Sequence, residues 1–229
     1  GFSTGPAGYA VNLAGYVPIA VKGTAEGFQG YNLITITRKD SGIDEMADLK
    51  GKKVAHTSAS SNSGNLAPRA LFPAQGIVPD KDYKVLYSGK HDQSILGVFN
   101  GDYDAAPVAS DVYDRMVAAD RVDDENIKII YRSPKFPTSA FGYANDLNPE
   151  LVKKIESAFS TYRFTPEMSA TFKGADRFAP ITYKQDWGVI RDIAHATGTA
   201  YTKAGLQKLA EQNAAKKAAK KAAALAAEK

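Results

Sequence analysis

The run Thr57-Ser58-Ala59-Ser60-Ser61-Asn62-Ser63-Gly64-Asn65 gathers hydroxyl and amide side chains between an apolar stretch and a helical pattern. A strand, a turn of small residues and a helix N-terminus together make a site for an oxyanion. The first N–H groups of a helix lack intrahelical partners, and the helix dipole places roughly half a positive charge at that end. Small side chains let an anion approach the backbone, and hydroxyls add directional donors, so neither Lys nor Arg is required. Ser and Asn are also ordinary N-capping residues. Four Ser and one Asn within residues 58–63 exceed what one cap uses. A nucleotide-binding P-loop is excluded, because the Gly-Lys-Ser/Thr element is missing.

Two further residues carry chemistry. His91 follows an apolar run, with Gln93 and Ser94 opening a helical pattern. It suits a capping role, or an imidazole donor to an oxyanion. Asp111 follows a run of small residues and suits either a helix N-cap or an acceptor facing a ligand. Ser63, His91 and Asp111 could be assembled into a hydrolytic triad, but the string around Ser63 lacks the Gly-x-Ser-x-Gly turn. No catalytic residue is therefore assigned. His56 ends a strand close to the Ser turn and is a weaker candidate, and His195 falls on a late helical pattern as a surface or packing residue. These three His have no metal-ligand spacing. The absence of Cys excludes thiolate ligands, disulfides and a Cys nucleophile. No cofactor is expected.

The elements that must hold these residues alternate between strand and helix, the pattern of an α/β protein. Strands are expected over residues 31–37, 53–57, 83–87, 127–131 and 140–144. Helices are expected over 64–72, 93–100, 112–119, 149–162 and 184–197. In the 149–162 segment, Leu151, Ile155, Ala158, Phe159 and Tyr162 recur at helical spacing, with Asn148 as cap and Pro149 in the first turn. Tyr183 and Trp187 read as packing residues.

The chain has 229 residues, 44% hydrophobic and 24% charged, as ordinary globular proteins do. No apolar run approaches the roughly 20 residues a membrane span needs. The formal charge of +4 is concentrated at one end. Residues 203–229 hold seven Lys and two Glu, which leaves residues 1–202 at −1. The globular part thus carries no electrostatic footprint for nucleic acid. The 203–229 segment, with eleven Ala, is expected to form a solvated helical tail with a thin stripe of Leu206, Leu209 and Leu225.

Taken in order, several segments resemble the phosphate/phosphite/phosphonate-binding solute-binding proteins of ABC transporters, which have the type II periplasmic binding fold. Residues 31–43, followed by Met46-Ala47-Asp48-Leu49-Lys50-Gly51-Lys52-Lys53-Val54-Ala55, resemble the crossing strand and the start of the second lobe. Ser61-Asn62-Ser63-Gly64 with Pro68 resembles the turn that holds phosphorus oxygens, with Asn62 where many relatives carry Thr. Gly5-Pro6-Ala7-Gly8-Tyr9 looks like a Gly-Pro-x-x-Tyr motif whose Tyr reaches the oxyanion. Ser88-Gly89-Lys90-His91-Asp92 resembles the strand end that supplies a His, and residues 104–111 a strand followed by a pocket-facing acid. Ser133-Pro134-Lys135-Phe136-Pro137 matches the return crossing. Ser139 stands near a position where some aminophosphonate binders carry an acid, which argues against an amine-bearing ligand.

The resemblance spans roughly residues 1–200. It implies an α/β, two-lobed fold with a cleft between lobes, and a strand–helix–strand–helix unit ahead of the Gly5-Pro6 motif. Lobe 1 would comprise residues 1–38 and 134–202, lacking that first unit, and lobe 2 residues 39–133. The ligand set it implies is Tyr9, Ser61, Asn62, Ser63, His91 and Asp111. The implied function is non-catalytic capture of a phosphorus oxyanion in the periplasm and delivery to an ABC transporter permease, without a stable oligomer and without nucleic acid. A second reading is a ligand-sensing domain of the same fold, with the tail as a helical connection to a signalling partner.

Overall fold

A computed structural model describes residues 1–2, 4–198 and 201–208, with 210–211, 214–215 and 218 beyond them. In chain order the strands are β1 (Tyr16–Thr24), β2 (Gly27–Phe28), β3 (Gly30–Tyr31), β4 (Leu33–Arg38), β5 (Lys53–His56), β6 (Lys84–Tyr87), β7 (Ala105–Ala109), β8 (Ile127–Arg132), β9 (Phe136–Pro137), β10 (Ala140–Ala144) and β11 (Arg177–Pro180). The α-helices are α1 (Thr4–Ala14), α2 (Ala67–Leu71), α3 (His91–Phe99), α4 (Ser110–Ala118), α5 (Pro149–Thr161), α6 (Pro166–Thr171), α7 (Tyr183–Asp186) and α8 (Gly188–Ala196).

The strands form three sheets. One has the order β10-β1-β11 with β2 also on β1, and all its pairs are antiparallel. Another runs β6-β5-β7-β4-β8, and in it β6, β5 and β7 are mutually parallel. Between them, β3 pairs with β9, so the chain crosses once at Tyr31 and returns at Phe136. The pairing places residues 33–38, expected with the first lobe, in the five-stranded sheet, where Leu33 faces Ala109 and Ile34 faces Arg132.

Hydrophobic alternation explains how the five-stranded sheet is packed. Successive side chains of a strand point to opposite faces. Leu33 and Val54 accordingly join one core cluster with Phe72, Phe136 and Trp187. Their neighbours Ile34 and Ala55 join another with Ile95, Val98 and Val108. Every residue of β7 is buried, as expected for a strand covered on both faces. Pro107 is tolerated inside β7 because β5 pairs with β7 only at Val54 and Ala105.

Three local departures have physical causes. The strand β1 carries Pro18, which obscures its pattern; the register against β10 shifts between Pro18 and Ala20, a bulge where a missing N–H is tolerated. The helix expected over 64–72 begins earlier, as a π-helical turn Asn62–Leu66 closed by Leu66 N–H to the Ser61 carbonyl at 3.0 Å. The helix expected over 184–197 is split into α7 and α8 at Trp187. That side chain is fully buried, and its indole N–H donates to the Thr4 carbonyl at 2.9 Å. In the tail, residues 203–208 are helical, whereas Leu209 and Leu225 lie outside the described residues. Among the described residues no helix is long and apolar enough to cross a membrane.

Candidate functional site

The parallel strands β5, β6 and β7 end on the same edge of their sheet, and each is followed by chemistry. The Ser turn follows His56, His91 comes four residues after Tyr87, and Asp111 comes two residues after Ala109. Ligands of open α/β sheets collect at the carboxyl ends of parallel strands, where loops and helix N-termini converge. A cavity of about 360 Å³ lies there. Ser61, Asn62, Ser63, His91 and Asp111 all line it, so five of the six expected ligand residues are brought together.

The turn is shaped by close backbone contacts. Thr57 N–H donates to the Gly64 carbonyl at 3.1 Å. A Cβ on Gly64 would lie 2.0 Å from Thr57 Oγ1, so only Gly fits. Ser61 caps the helix start, accepting from the Gly64 N–H at 3.2 Å. Asn62 and Ser63 occupy the first turn, nearly buried, beside the N–H groups that lack helical partners.

His91 is positioned by the end of β6. The β5–β6 ladder continues through Ser88 N–H to the His56 carbonyl and Gly89 N–H to the Thr57 carbonyl, both at 2.9 Å. Gly89 then adopts φ of 103°, a conformation that L side chains rarely take, and the chain turns into α3 at His91. The imidazole Nδ1 accepts the Ala109 N–H at 3.2 Å, and Nε2 stands 3.4 Å from Ser61 Oγ. An accepting Nδ1 requires the proton of the neutral ring on Nε2, facing the cavity. Burial pushes the imidazole below its ordinary value, opposed by the charges of Asp111 and Asp92.

Asp111 lies inside the first turn of α4. The N-cap is Ala109, without a side-chain cap bond, so the expected capping role is replaced by a place in the cavity wall. A carboxylate in a first helical turn is favoured by the dipole. Lys173, from the turn after α6, donates to the Asp111 carbonyl at 3.0 Å and links this rim to the first sheet's side.

Tyr31 completes the site and was not expected there. It sits on the crossing strand β3, ring against Phe136 at a centroid distance of 5.7 Å. Its hydroxyl accepts from Asn62 Nδ2 at 3.2 Å and approaches Thr4 Oγ1 at 3.5 Å. The Thr4 hydroxyl in turn donates to the Pro137 carbonyl at 2.8 Å. Burial pushes the phenol above its ordinary value; the contacts with Thr4 and Asn62 oppose this and the Asp111 charge adds to it. Tyr31 is therefore a neutral O–H group across the physiological range. The signal available in the sequence was an aromatic residue with a polar tip at the crossing itself.

Tyr9 is the exception among the expected ligands. It lines a neighbouring apolar cavity, with its ring edge-on to Tyr201 at 4.9 Å. Thr4, which faces Tyr31, begins α1, and Tyr9 lies five residues on. At 3.6 residues per turn this rotates it by about 140° around the helix, away from the Thr4 face. His56 is likewise not in the cleft wall: it is fully buried, hydrogen-bonded to Asn65 and Tyr83 at 2.9 Å each. His195 is exposed on α8.

The cleft thus presents hydroxyl, amide and imidazole donors around one carboxylate. Among the described lining residues there is no Lys or Arg. Neutral polar groups lining a recess at a helix start suit a small oxyanion, and the carboxylate suits one that carries a proton.

The sheets and crossings are those of type II periplasmic binding proteins. PhnD1 from Prochlorococcus marinus, solved in complex with methylphosphonate, superposes with a TM-score of 0.66 at 18% identity, covering 81% of this chain and 72% of that one. The family model described as "ABC transporter, phosphonate, periplasmic substrate-binding protein" matches residues 1–187, and the chain belongs to that family. It is 27% identical over 201 residues to the phosphate-import protein PhnD of Mycolicibacterium smegmatis, covering 81% of this chain and 62% of that protein. It is 28% identical over 153 residues to the phosphonates-binding periplasmic protein of Escherichia coli, covering 65% of this chain and 45% of that protein. The chain thus spans less than two thirds of the length of either relative.

Proposed function

We propose that this chain captures a small phosphorus oxyanion, a phosphonate, phosphite or phosphate, as the periplasmic solute-binding component of an ABC importer, and hands it to the membrane permease. The observation that carries this reading is the convergence of Ser61, Ser63, His91 and Asp111 at the ends of three parallel strands, with Tyr31 closing the recess from the crossing. Ser61, Asn62, Ser63, His91 and Asp111 bind the anion, and Tyr31 joins them in place of Tyr9. Residues up to the first crossing and from the second crossing to 202 act as one lobe. Those between the crossings act as the other, and the ligand is held between them.

The His91 tautomer supports capture without turnover. A general base for Ser61 would need a free lone pair on Nε2, oriented by a carboxylate at Nδ1. Here Nδ1 takes a backbone N–H, and Nε2 carries the proton. Phosphorus nuclear magnetic resonance tests both halves of the proposal. Methylphosphonate should broaden on adding protein and be recovered unchanged after denaturation. An unbroadened signal counts against capture, and a new phosphorus species from methylphosphonate or a phosphate ester counts against a purely binding role.

A further inference from the structure

The Ser turn has a back as well as a front. Its cleft side is formed by Ser60, Ser61, Asn62 and Ser63. Behind it lies Asn65, buried and outside the cleft wall. Asn65 Nδ2 donates to the Ala59 carbonyl at 2.9 Å, which fixes the orientation of the amide. Its Oδ1 then meets donors from three elements: Arg69 Nε of α2 at 3.1 Å, the Tyr87 hydroxyl of β6 at 3.3 Å and His56 Nδ1 of β5 at 2.9 Å. An amide oxygen only accepts, so His56 carries its proton on Nδ1, and Nε2 accepts the Tyr83 hydroxyl at 2.9 Å. Burial pushes the Tyr83 phenol far above its ordinary value, which keeps that O–H in place. Arg69 is itself anchored on Asp80 at 2.7 Å. The two histidines thus hold opposite tautomers: His91 presents Nε2–H to the cleft, and His56 presents Nδ1–H to Asn65.

What Asn65 grips is the middle peptide of a β-turn. Ser61 N–H donates to the Ser58 carbonyl at 3.1 Å, so the Ala59–Ser60 peptide is the central one. Such a peptide can face either way, because type I and type II turns differ by its reversal. Type II needs a positive φ at the third residue. Among the described non-glycine residues only Asp80, Asp120 and Lys173 have one, so Ser60 does not. A trans peptide points its C=O and its N–H in opposite directions. With the Ala59 carbonyl turned back onto Asn65, the Ser60 N–H faces away from it, on the side where Ser60 lines the cleft. Among the described residues that N–H has no acceptor. We infer that Asn65 is a positioning residue of the oxyanion site: backed by His56 and Arg69, it holds the Ala59–Ser60 peptide so that the Ser60 N–H donates to the bound anion. This rests on the oxyanion reading of the cleft and adds to it a main-chain donor and the buried network that aims it.

The test is nitrogen-15 nuclear magnetic resonance of the whole chain titrated with methylphosphonate, phosphite and inorganic phosphate, with calorimetry alongside. It is run on the wild type, Asn65→Ala and Asn65→Asp. Asn65→Ala removes the grip. Asn65→Asp keeps an acceptor for His56, Arg69 and Tyr87 but turns an acceptor onto the Ala59 carbonyl. In the wild type the Ser60 amide proton should move downfield as the anion saturates. In both variants that shift should vanish while the ligand shifts at Asn62 and Ser63 persist, and affinity should fall about tenfold or more. General destabilisation or charge repulsion would weaken every contact alike, without singling out Ser60. Should Asn65→Ala not fold, Asn65→Asp and the wild-type spectrum decide. The inference is overturned if the wild-type Ser60 amide stays still while Asn62 and Ser63 respond, or if a folded variant keeps either the Ser60 shift or wild-type affinity; the oxyanion reading stands in both cases. If no amide of the turn responds to any of the three anions, the oxyanion reading fails and this inference with it.

Discussion

The backbone N–H of Ala109 donates to Nδ1 of His91 at 3.2 Å, and this bond decides which way the imidazole proton points. A strand end thereby fixes the tautomer of a residue on the neighbouring helix. His91 becomes a neutral donor through Nε2, 3.4 Å from Ser61 Oγ.

Loss of that donor should be measurable. His91→Ala should weaken oxyanion binding by about 1.5–3 kcal/mol, the range for a charge-assisted hydrogen bond. Unchanged affinity by calorimetry would remove His91 from the ligand set. The same residue predicts an acid sensitivity of the ligand-free protein. Burial lowers the folded-state value below the ordinary 6.5, so the unfolded chain takes up a proton that the folded ring resists. Stability from this group is complete above the ordinary value and falls as pH drops through it. Urea unfolding between pH 8 and 5 should show a shallower decline in His91→Gln than in the wild type; identical slopes would contradict the assignment.

The Ser turn is the proposed main anchor. Replacing Ser61 and Ser63 together by Ala should weaken binding by about 1.5–3 kcal/mol for each charge-assisted bond lost. Ser61 also caps the helix start, so about 1 kcal/mol of fold stability should go with it. Wild-type affinity in a folded double variant, checked by thermal unfolding, would rule the turn out.

Tyr31 and Tyr9 should separate cleanly. Tyr31→Phe removes a hydroxyl that accepts from Asn62 and lines the cleft, and phosphite affinity should fall at least fivefold. Tyr9→Phe should leave phosphite binding within about twofold, because Tyr9 packs against Tyr201 in the adjoining cavity. The reverse pattern in titrations would restore Tyr9 as the oxyanion ligand.

Asp111 should select the protonation state of the ligand. An ionised carboxylate has only acceptor sites, so it requires a donor from the ligand. A monoprotonated phosphorus oxyanion supplies one, whereas sulfate at neutral pH does not and would set negative oxygen against negative oxygen. Affinity should fall as pH rises through the ligand's last ionisation. Asp111→Asn should flatten that dependence and admit sulfate, since an amide both donates and accepts. Retained sulfate exclusion with an unchanged pH profile would leave Asp111 a first-turn helix residue and nothing more.

These positions are legible in the sequence to the extent that they are set locally. The Ser turn, His91 and Asp111 each follow an apolar strand and open a helix, and that arrangement is visible over about ten residues. Tyr31 was hidden because its role depends on the pairing of β3 with β9, between Tyr31 and Phe136, far apart in the chain. Tyr9 carries the motif resemblance, but the phase of α1 turns it towards Tyr201. The helix over 149–162 was legible from its spacing, yet Leu151 and Tyr162 remain exposed, and Phe159 packs on Phe141 and Phe178. Spacing shows which face of a helix is apolar, not how much of that face its neighbours cover.

The central claim is that the cleft between Ser61, His91, Asp111 and Tyr31 binds a phosphorus oxyanion. Isothermal titration calorimetry of the protein against methylphosphonate, phosphite, phosphate and sulfate at neutral pH tests it most directly. At least one phosphorus oxyanion should bind saturably at micromolar concentration or below, with binding abolished or strongly weakened by the Ser61→Ala, Ser63→Ala pair, and sulfate should not bind. Silence from all three phosphorus ligands, or sulfate binding as tightly as they do, would contradict it.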